Sequence, residues 1–444
     1  MSARTIGHPA RLVVIGFAAA IALGTLILWL PVATAGPGNA PVWTALFSAT
    51  ASVTLGGISI VDTASYWSPT GQAAILVLVQ LGGLGIVTSA SLLFLVVARS
   101  VGLRGRMAAQ TELHTRDLGG TRHLLTAIVG FSLAFQAVAV AAITLRLWLG
   151  TDRGFGEAAW NGLFLGIASF SNAGISILPG GLIPFVSDPW ILTTIALAVI
   201  AGGLGFPVWL ELIRAPRAPV RWSLHTKITL VTTAVLLLFG TILITLAEWG
   251  NPATLGALHG PDRLLAGIFS GIMPRTAGFN VIDYSAVEPD TLLVTEMLMF
   301  VGGGSGSVAG GIKLTTFALL FLIVWAEVRG ESEVTAFRRR IPLAVQRQAL
   351  TVAVLAVNAI VIGALLVMST NEIPFSDALF ECIGAFSTAG LGTGVTTGLN
   401  PFGQGVLILL MLLGRVGPLT LGVALVLRER ERLYSHPEER PLVG

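Results

Sequence analysis

The chain has 444 residues, of which 54% are hydrophobic and 11% charged, with a mean hydropathy of +0.84. Soluble domains carry about 25% charged residues, so this composition excludes a soluble domain and places the chain among polytopic membrane proteins. One cysteine, Cys382, excludes an internal disulfide, and the net charge of +3 matters less than where the charges fall.

The first apolar run, from Leu12 to about Leu30, is too long for a signal-peptide core and reads as a retained spanning helix. A crossing helix needs about 20 apolar residues. Further runs of that kind lie near 72–98, 124–150, 188–213, 227–249, 290–326, 346–369 and 402–427, the sixth of the eight being long and interrupted. Between the two members of each successive pair lies a shorter apolar segment, near 41–53, 156–170, 261–274 and 375–386. At 1.5 Å per residue each reaches only about 20 Å, short of a ~30 Å hydrocarbon core. These four read as re-entrant half-helices.

Twenty of the 26 Lys and Arg residues fall at the two termini and in the linkers between pairs, as in Arg99–Arg122, Arg214–Lys227, Arg329–Arg347 and Arg428–Arg440. The positive-inside rule makes those segments and both termini cytoplasmic, so the half-helices enter from outside. Trp29, Trp43, Trp67, Trp148, Trp160, Trp190 and Trp249 fall at the predicted outer ends and read as interface anchors.

The chain thus reads as four copies of span, half-helix, loop and span: 1–117, 118–216, 217–333 and 334–444, the last with a cytoplasmic tail. The expected fold class is an all-α polytopic membrane protein, with eight transmembrane helices and four half-helices around one pore. Each half-helix ends in a glycine, Gly57, Gly174, Gly278 and Gly390, at separations of 117, 104 and 112 residues. Phe47, Phe164 and Phe380 lie ten residues before three of them, whereas Phe269 lies nine before the third. Irregular backbone at membrane depth survives only where it is buried in protein or lines a wet cavity. Four loops on one axis aim carbonyls at a common centre, where they replace the water shell of a cation. Glycine permits the positive φ that turns carbonyls inward, and half-helix C-termini favour a cation. Tight-packing glycines between helices are the alternative for any single loop.

The stretches "FSATASVTLGGISIVDT" (47–63), "VQLGGLGIVT" (79–88), "SFSNAG", "PRTAGFN", "AFSTAGLGTG", "GGGSGSVAGGIK" (302–313) and "GRVGPLTL" (414–421) together span the chain. They resemble the Ktr/Trk/HKT superfamily of potassium transporters, and within it the KtrB-type membrane subunits. The resemblance implies a selectivity filter built from Thr54, Leu55, Gly56 and Gly57; Ser171, Asn172, Ala173 and Gly174; Arg275, Thr276, Ala277 and Gly278; and Ser387, Thr388, Ala389 and Gly390. It implies that glycine rather than serine at Gly57 gives a potassium-permissive pore. Gly56 stands where the family more often has a hydroxyl residue, which loosens selectivity. We expect potassium to be preferred, with rubidium and some sodium passing.

The sixth run carries Gly302, Gly303, Gly304, Ser305, Gly306, Ser307, Gly310 and Gly311. At about 1 kcal/mol per glycine relative to alanine, a helix should break there. The resemblance implies a movable barrier below the filter, assisted by Arg415 in the last run; Lys313 either shares that role or snorkels to the cytoplasmic face. Asp62 and Asp283, each five residues after a filter glycine, are candidates for a negative outer vestibule or ordinary solvated acids. Arg275 is expected to brace the third loop by hydrogen bonds, with Glu296 as a partner.

No Walker loop, zinc cluster or catalytic constellation occurs, so no enzyme and no cofactor are expected in this chain, only potassium as substrate. The resemblance implies a homodimer, one pore per chain, and a cytosolic ring of RCK-type (KtrA-like) subunits carrying any regulatory nucleotide, with the linkers and the 428–440 tail as docking surfaces. Besides the bilayer no other partner is expected, and no nucleic acid. The expected place is the bacterial plasma membrane. A sodium-translocating relative and an alternating-access secondary transporter are the competing readings, although four copies that each begin and end on the basic side favour a pore.

Overall fold

A computed structural model describes residues 8–100 and 121–427. The basic residues Arg4, Arg104, Arg106 and Arg116 and the Arg428–Arg440 tail lie outside the described residues. The principal elements are α1 (His8–Trp29), α2 (Val42–Thr54), α3 (Pro69–Ser100), α4 (Thr121–Gly150), α5 (Phe155–Phe170), α6 (Pro189–Leu204) and α7 (Phe206–Arg214). They continue as α8 (Leu224–Glu248), α9 (Gly260–Ile272), α10 (Pro289–Phe300), α11 (Leu314–Val328), α12 (Leu343–Met368), α13 (Phe375–Ser387) and α14 (Pro401–Leu427). A two-stranded turn at Thr335–Ala336 and Arg339–Arg340 is the only sheet among the described residues.

Three helices, Leu125–Gly150, Leu224–Glu248 and Leu343–Met368, are long and apolar enough to cross a membrane among the described residues. The run at 188–213 is not the single helix expected. It bends by 96° between α6 and α7. Gly205 sits at the bend with φ 91° and ψ 147°, a conformation closed to residues with a Cβ, and Pro207 follows within the first turn of α7.

The short helices α2, α5, α9 and α13 each pack on the first long helix of their own copy, α1, α4, α8 and α12. Each also packs on the last helix of the preceding copy: α5 on α3, α9 on α6, α13 on α10, and α2 on α14. The last of these contacts closes a ring. Phe47, Phe164, Phe269 and Phe380, one on each short helix, are among the largest fully buried side chains. Four equivalent phenylalanines therefore fill equivalent holes.

A proline begins the last helix of each copy, at Pro69, Pro189, Pro289 and Pro401, where its missing N–H costs nothing. The residue before it is tied to the C-terminal end of the copy's first helix or to the turn that follows it. The Ser68 amide donates to Ala33 O (2.9 Å), and Arg146 pairs with Asp188 (2.8 Å). The Glu288 amide donates to the Glu248 carboxylate (2.8 Å), and that of Asn400 to Asn371 Oδ1 (2.8 Å). The chemistry differs in each copy while the tether stays in place. Glu248, fully buried, also accepts from Asn251, Thr254 and Thr291 and so clamps the outer end of the third copy.

The tryptophans divide. Trp29, Trp148, Trp190 and Trp249 are exposed, whereas Trp67 is fully buried. Trp43 and Trp160 are half-buried and donate to Gln404 (2.7 Å) and Gln72 (3.0 Å). Trp67 is thus a core residue and not an interface anchor, held in the loop that returns toward Thr34.

Candidate ion-conducting site

Each short helix stops before its glycine for the same local reason. Leu55, Asn172, Thr276 and Thr388 take φ of 58°, 55°, 62° and 51°, two residues ahead of Gly57, Gly174, Gly278 and Gly390 at 67°, 65°, 71° and 79°. Two left-handed residues, one apart, turn the chain out of the helix in all four copies. The left-handed region is unusual for leucine and threonine, at roughly 1–2 kcal/mol per residue, and the sequence alone gave no sign of it. The amides of Gly56, Ala173 and Ala389 return to Ala51 O, Ala168 O and Gly384 O at 2.7–2.9 Å, capping three helices identically. In the third copy Pro274 intervenes, α9 ends at Ile272, and the Ala277 amide returns to Met273 O (3.1 Å). That shorter cap accounts for Phe269 lying nine rather than ten residues before its glycine.

The four glycines meet. A Cβ on Gly57 would lie 2.5 Å from Gly390 Cα and 2.9 Å from Ala173 O. One on Gly174 would lie 2.8 Å from Gly278 Cα, and one on Gly390 would lie 2.9 Å from Gly57 Cα and 3.0 Å from Gly278 Cα. All four line one cavity of about 250 Å³. Side-chain hydroxyls around the ring turn back to their own helices: Thr54 Oγ1 to Thr50 O (2.7 Å), Ser169 Oγ to Leu165 O (2.5 Å) and Ser387 Oγ to Ile383 O (2.5 Å). Thr276 Oγ1 and Thr388 Oγ1, both buried, have no hydrogen-bond partner, so the ring offers side-chain oxygen at two positions beside its backbone carbonyls. Gly56 has its own reason: a Cβ there would collide with Met411 Sδ. A side chain at that position would require Met411 of α14 to move.

Below the ring, residues 301–313 form the irregular loop expected from the glycines. Val301 and Ile312 pair across its neck, with the Gly302 amide donating to Ile312 O (2.8 Å). The Gly304 amide donates to Gly203 O (2.9 Å), and the Phe206 amide to Gly306 O (3.2 Å), so the loop docks on the bend between α6 and α7. Gly310 and Gly311 press against the fourth glycine loop, where a Cβ on Gly310 would lie 3.0 Å from Ser387 O and one on Gly311 3.1 Å from Ser387 Cα. Arg415, buried, donates to Val308 O of the loop and to Gly82 O (3.4 Å) of α3. Lys313 does not snorkel outward: its Nζ donates back to Ala309 O (2.6 Å).

Arg275 departs from expectation. It is buried, makes no ion pair with Glu296, and its Nε has no hydrogen-bond partner. It lines a cavity of about 20 Å³ with Thr233, Gly203 and Gly303, which holds about one water. Arg275 therefore faces the docked loop and does not brace the filter by hydrogen bonds. Asp62 and Asp283 are exposed and occupied locally, accepting from Ala64 N (3.3 Å) and Ser65 Oγ (2.6 Å), and from Ser285 N (2.9 Å) and Oγ (2.8 Å). Neither lines the cavity of the four glycines. The carboxylate that does is Glu381 of α13, a residue the sequence reading passed over because it falls inside an apolar segment.

The profile of a family described as TrkH, cation transport protein, matches residues 14–435. The chain is 35% identical to the Ktr system potassium uptake protein B of Bacillus subtilis, over 98% of this chain and 97% of that one. It is 33% identical to the Ktr system potassium uptake protein B of Vibrio alginolyticus (99% and 95%), and 32% identical to the potassium/sodium uptake protein NtpJ of Enterococcus hirae (98% and 97%). The crystal structure of the potassium transporter TrkH from Vibrio parahaemolyticus superposes with a TM-score of 0.73, covering 93% of this chain and 84% of that one at 16% identity.

Proposed function

Because this chain belongs to the TrkH family of cation transport proteins, we propose that it is the ion-translocating membrane subunit of a Ktr-type potassium uptake system, and not an enzyme. The observation that carries this reading is the ring of four left-handed glycines, Gly57, Gly174, Gly278 and Gly390, lining one cavity. Dehydrated potassium passes through that ring on backbone carbonyls. It then meets the 301–313 loop, pinned by Arg415, as a barrier that must move for conduction. The buried charge of Arg415 opposes a cation until it does.

In this reading the chain is a multi-pass protein of the plasma membrane, with four copies, eight membrane crossings, four re-entrant half-helices and both termini cytoplasmic. The cyclic packing of each short helix on the copy before it supports four copies around one axis. A homodimer and a cytosolic RCK-type, KtrA-like partner that carries nucleotide complete the system. A second reading, with sodium carried beside potassium, draws on Gly56, which leaves the first loop without a side-chain oxygen at that position.

The test is potassium uptake by cells lacking their own uptake systems, with the parent chain and with Gly390→Ser. Uptake that falls or shifts toward sodium in the variant supports four loops around one selective path. Robust uptake with unchanged ion preference reduces Gly390 to a packing residue.

A further inference from the structure

The filter ring repeats four times, but the cavity above it does not. One side of that cavity carries Glu381, on the fourth short helix. At the position after the buried phenylalanine, the other three copies have Ser48, Leu165 and Ser270. A carboxylate therefore stands on one side of the mouth only.

Glu381 is fully buried. Its Oε1 accepts from the Thr393 amide (2.9 Å) and Thr393 Oγ1 (3.3 Å), and its Oε2 accepts from Thr396 Oγ1 (2.5 Å). These donors come from the strand of chain that leaves Gly390, so the carboxylate sits behind the fourth loop. Among the described residues it forms no salt bridge. A buried carboxylate without a cation is costly, and three neutral donors offset only part of that cost. The space it faces is the one the four glycines line. Thr393 and Thr396 occupy three of the carboxylate's acceptor sites. Its charge, though, is felt across a low-dielectric wall.

We propose that Glu381, ionised when a cation is loaded, is the counter-charge for the monovalent cation at the extracellular end of the filter, setting how tightly the ion loads while backbone carbonyls set which ion passes. It is a positioning residue acting through the field of its carboxylate. This rests on the filter reading above. It also assigns separate tasks to two groups in one loop: Gly390 for selection and Glu381 for affinity.

The closing experiment measures KM and maximal rate of potassium uptake, with the potassium-to-sodium preference, in Glu381→Gln, Glu381→Asp and Thr396→Val. The glutamine keeps an acceptor oxygen for Thr393 and loses the charge. We expect its KM to rise about three- to tenfold, in line with one unit charge acting at an intermediate effective dielectric, with maximal rate and ion preference near the parent's. Glu381→Asp, which keeps the charge, and Thr396→Val, which keeps the carboxylate and loses one donor, should stay within about twofold of the parent KM. A bracing role predicts the reverse order, because the shortened arm and the lost donor both slacken the loop. An unchanged KM in Glu381→Gln overturns the proposal. So does an equal rise in Thr396→Val, or a glutamine variant that fails to accumulate in the membrane while the aspartate variant fails as well. The filter reading fails separately: Gly390→Ser would then leave ion preference untouched whatever Glu381→Gln does to KM.

Discussion

The glycine ring and the helices on one side of it follow opposite rules. At the filter, four copies repeat one backbone path down to the same pair of left-handed residues. Next to the ring, the last helix of three of the copies passes its loop on a glycine, and there the copies part. A Cβ on Gly82, Gly202 or Gly414 would strike Val53 O, Phe170 O or Phe386 O, in each case the carbonyl four residues before the filter glycine. Beyond that shared seam α3 continues, α6 bends by 96° at Gly205, α10 breaks into the 301–313 loop, and α14 continues with Arg415 buried against that loop. An ion selected by surrounding carbonyls needs equivalent sides. A barrier that moves needs one side to differ from the others, and here the two interrupted copies dock on each other through Gly203, Gly304 and Gly306.

The largest effect should come from breaking the repeated half. In Gly278→Ala the new methyl would lie 2.7 Å from Ala389 O, 2.8 Å from Gly174 Cα and 2.9 Å from Gly390 Cα, at a φ of 71°. No flexible side chain can yield there. We expect rubidium uptake to fall by roughly an order of magnitude or more, since carbonyl geometry and left-handed strain are both hit. Gly16→Ala, with nothing within 4 Å of the added carbon, serves as the unaffected reference. Uptake equal to that reference would mean that the ring does not conduct.

The unrepeated half should respond in the other direction. Arg415→Gln removes the guanidinium that joins Val308 O to Gly82 O and the positive charge beneath the filter. We expect uptake to rise about two- to fivefold with ion preference unchanged, because a loop released from its pin blocks less and the ring above is untouched. This range corresponds to about 0.4–1 kcal/mol, the scale of one net hydrogen bond. A loss of selectivity instead would make Arg415 part of the filter and erase the division between the halves.

This division also marks what could be read from the sequence. Short-helix bounds near 41–53, 156–170, 261–274 and 375–386 come within two residues of α2, α5, α9 and α13, because length, apolarity and a terminal glycine are local signals. The break at 302–311 is legible for the same reason: six glycines outweigh any helix preference. The bend at Gly205 is not, since an apolar run holding two or three glycines resembles the unbent seam at Gly82–Gly85, and docking on a distant loop decides between them. Arg275 misled because its neighbour in sequence is the filter while its side chain faces the docked loop. Glu381 went unread because its donors, Thr393 and Thr396, lie twelve and fifteen residues away, past the turn.

The smallest effect is expected at the two acids whose spacing suggested a vestibule. Asp62 and Asp283 are exposed, and each spends its carboxylate on the turn that follows it. Exposed charges are screened within about 8–10 Å at physiological salt, so their hold on an ion at the ring is weak. In the double variant Asp62→Asn and Asp283→Asn we expect KM for potassium to change by less than about twofold, since asparagine keeps the acceptor oxygen each turn uses. Any residual effect should vanish as ionic strength is raised with an impermeant salt. A shift as large as that of Glu381→Gln, persisting at high salt, would move the loading charge from the buried wall to the open rim.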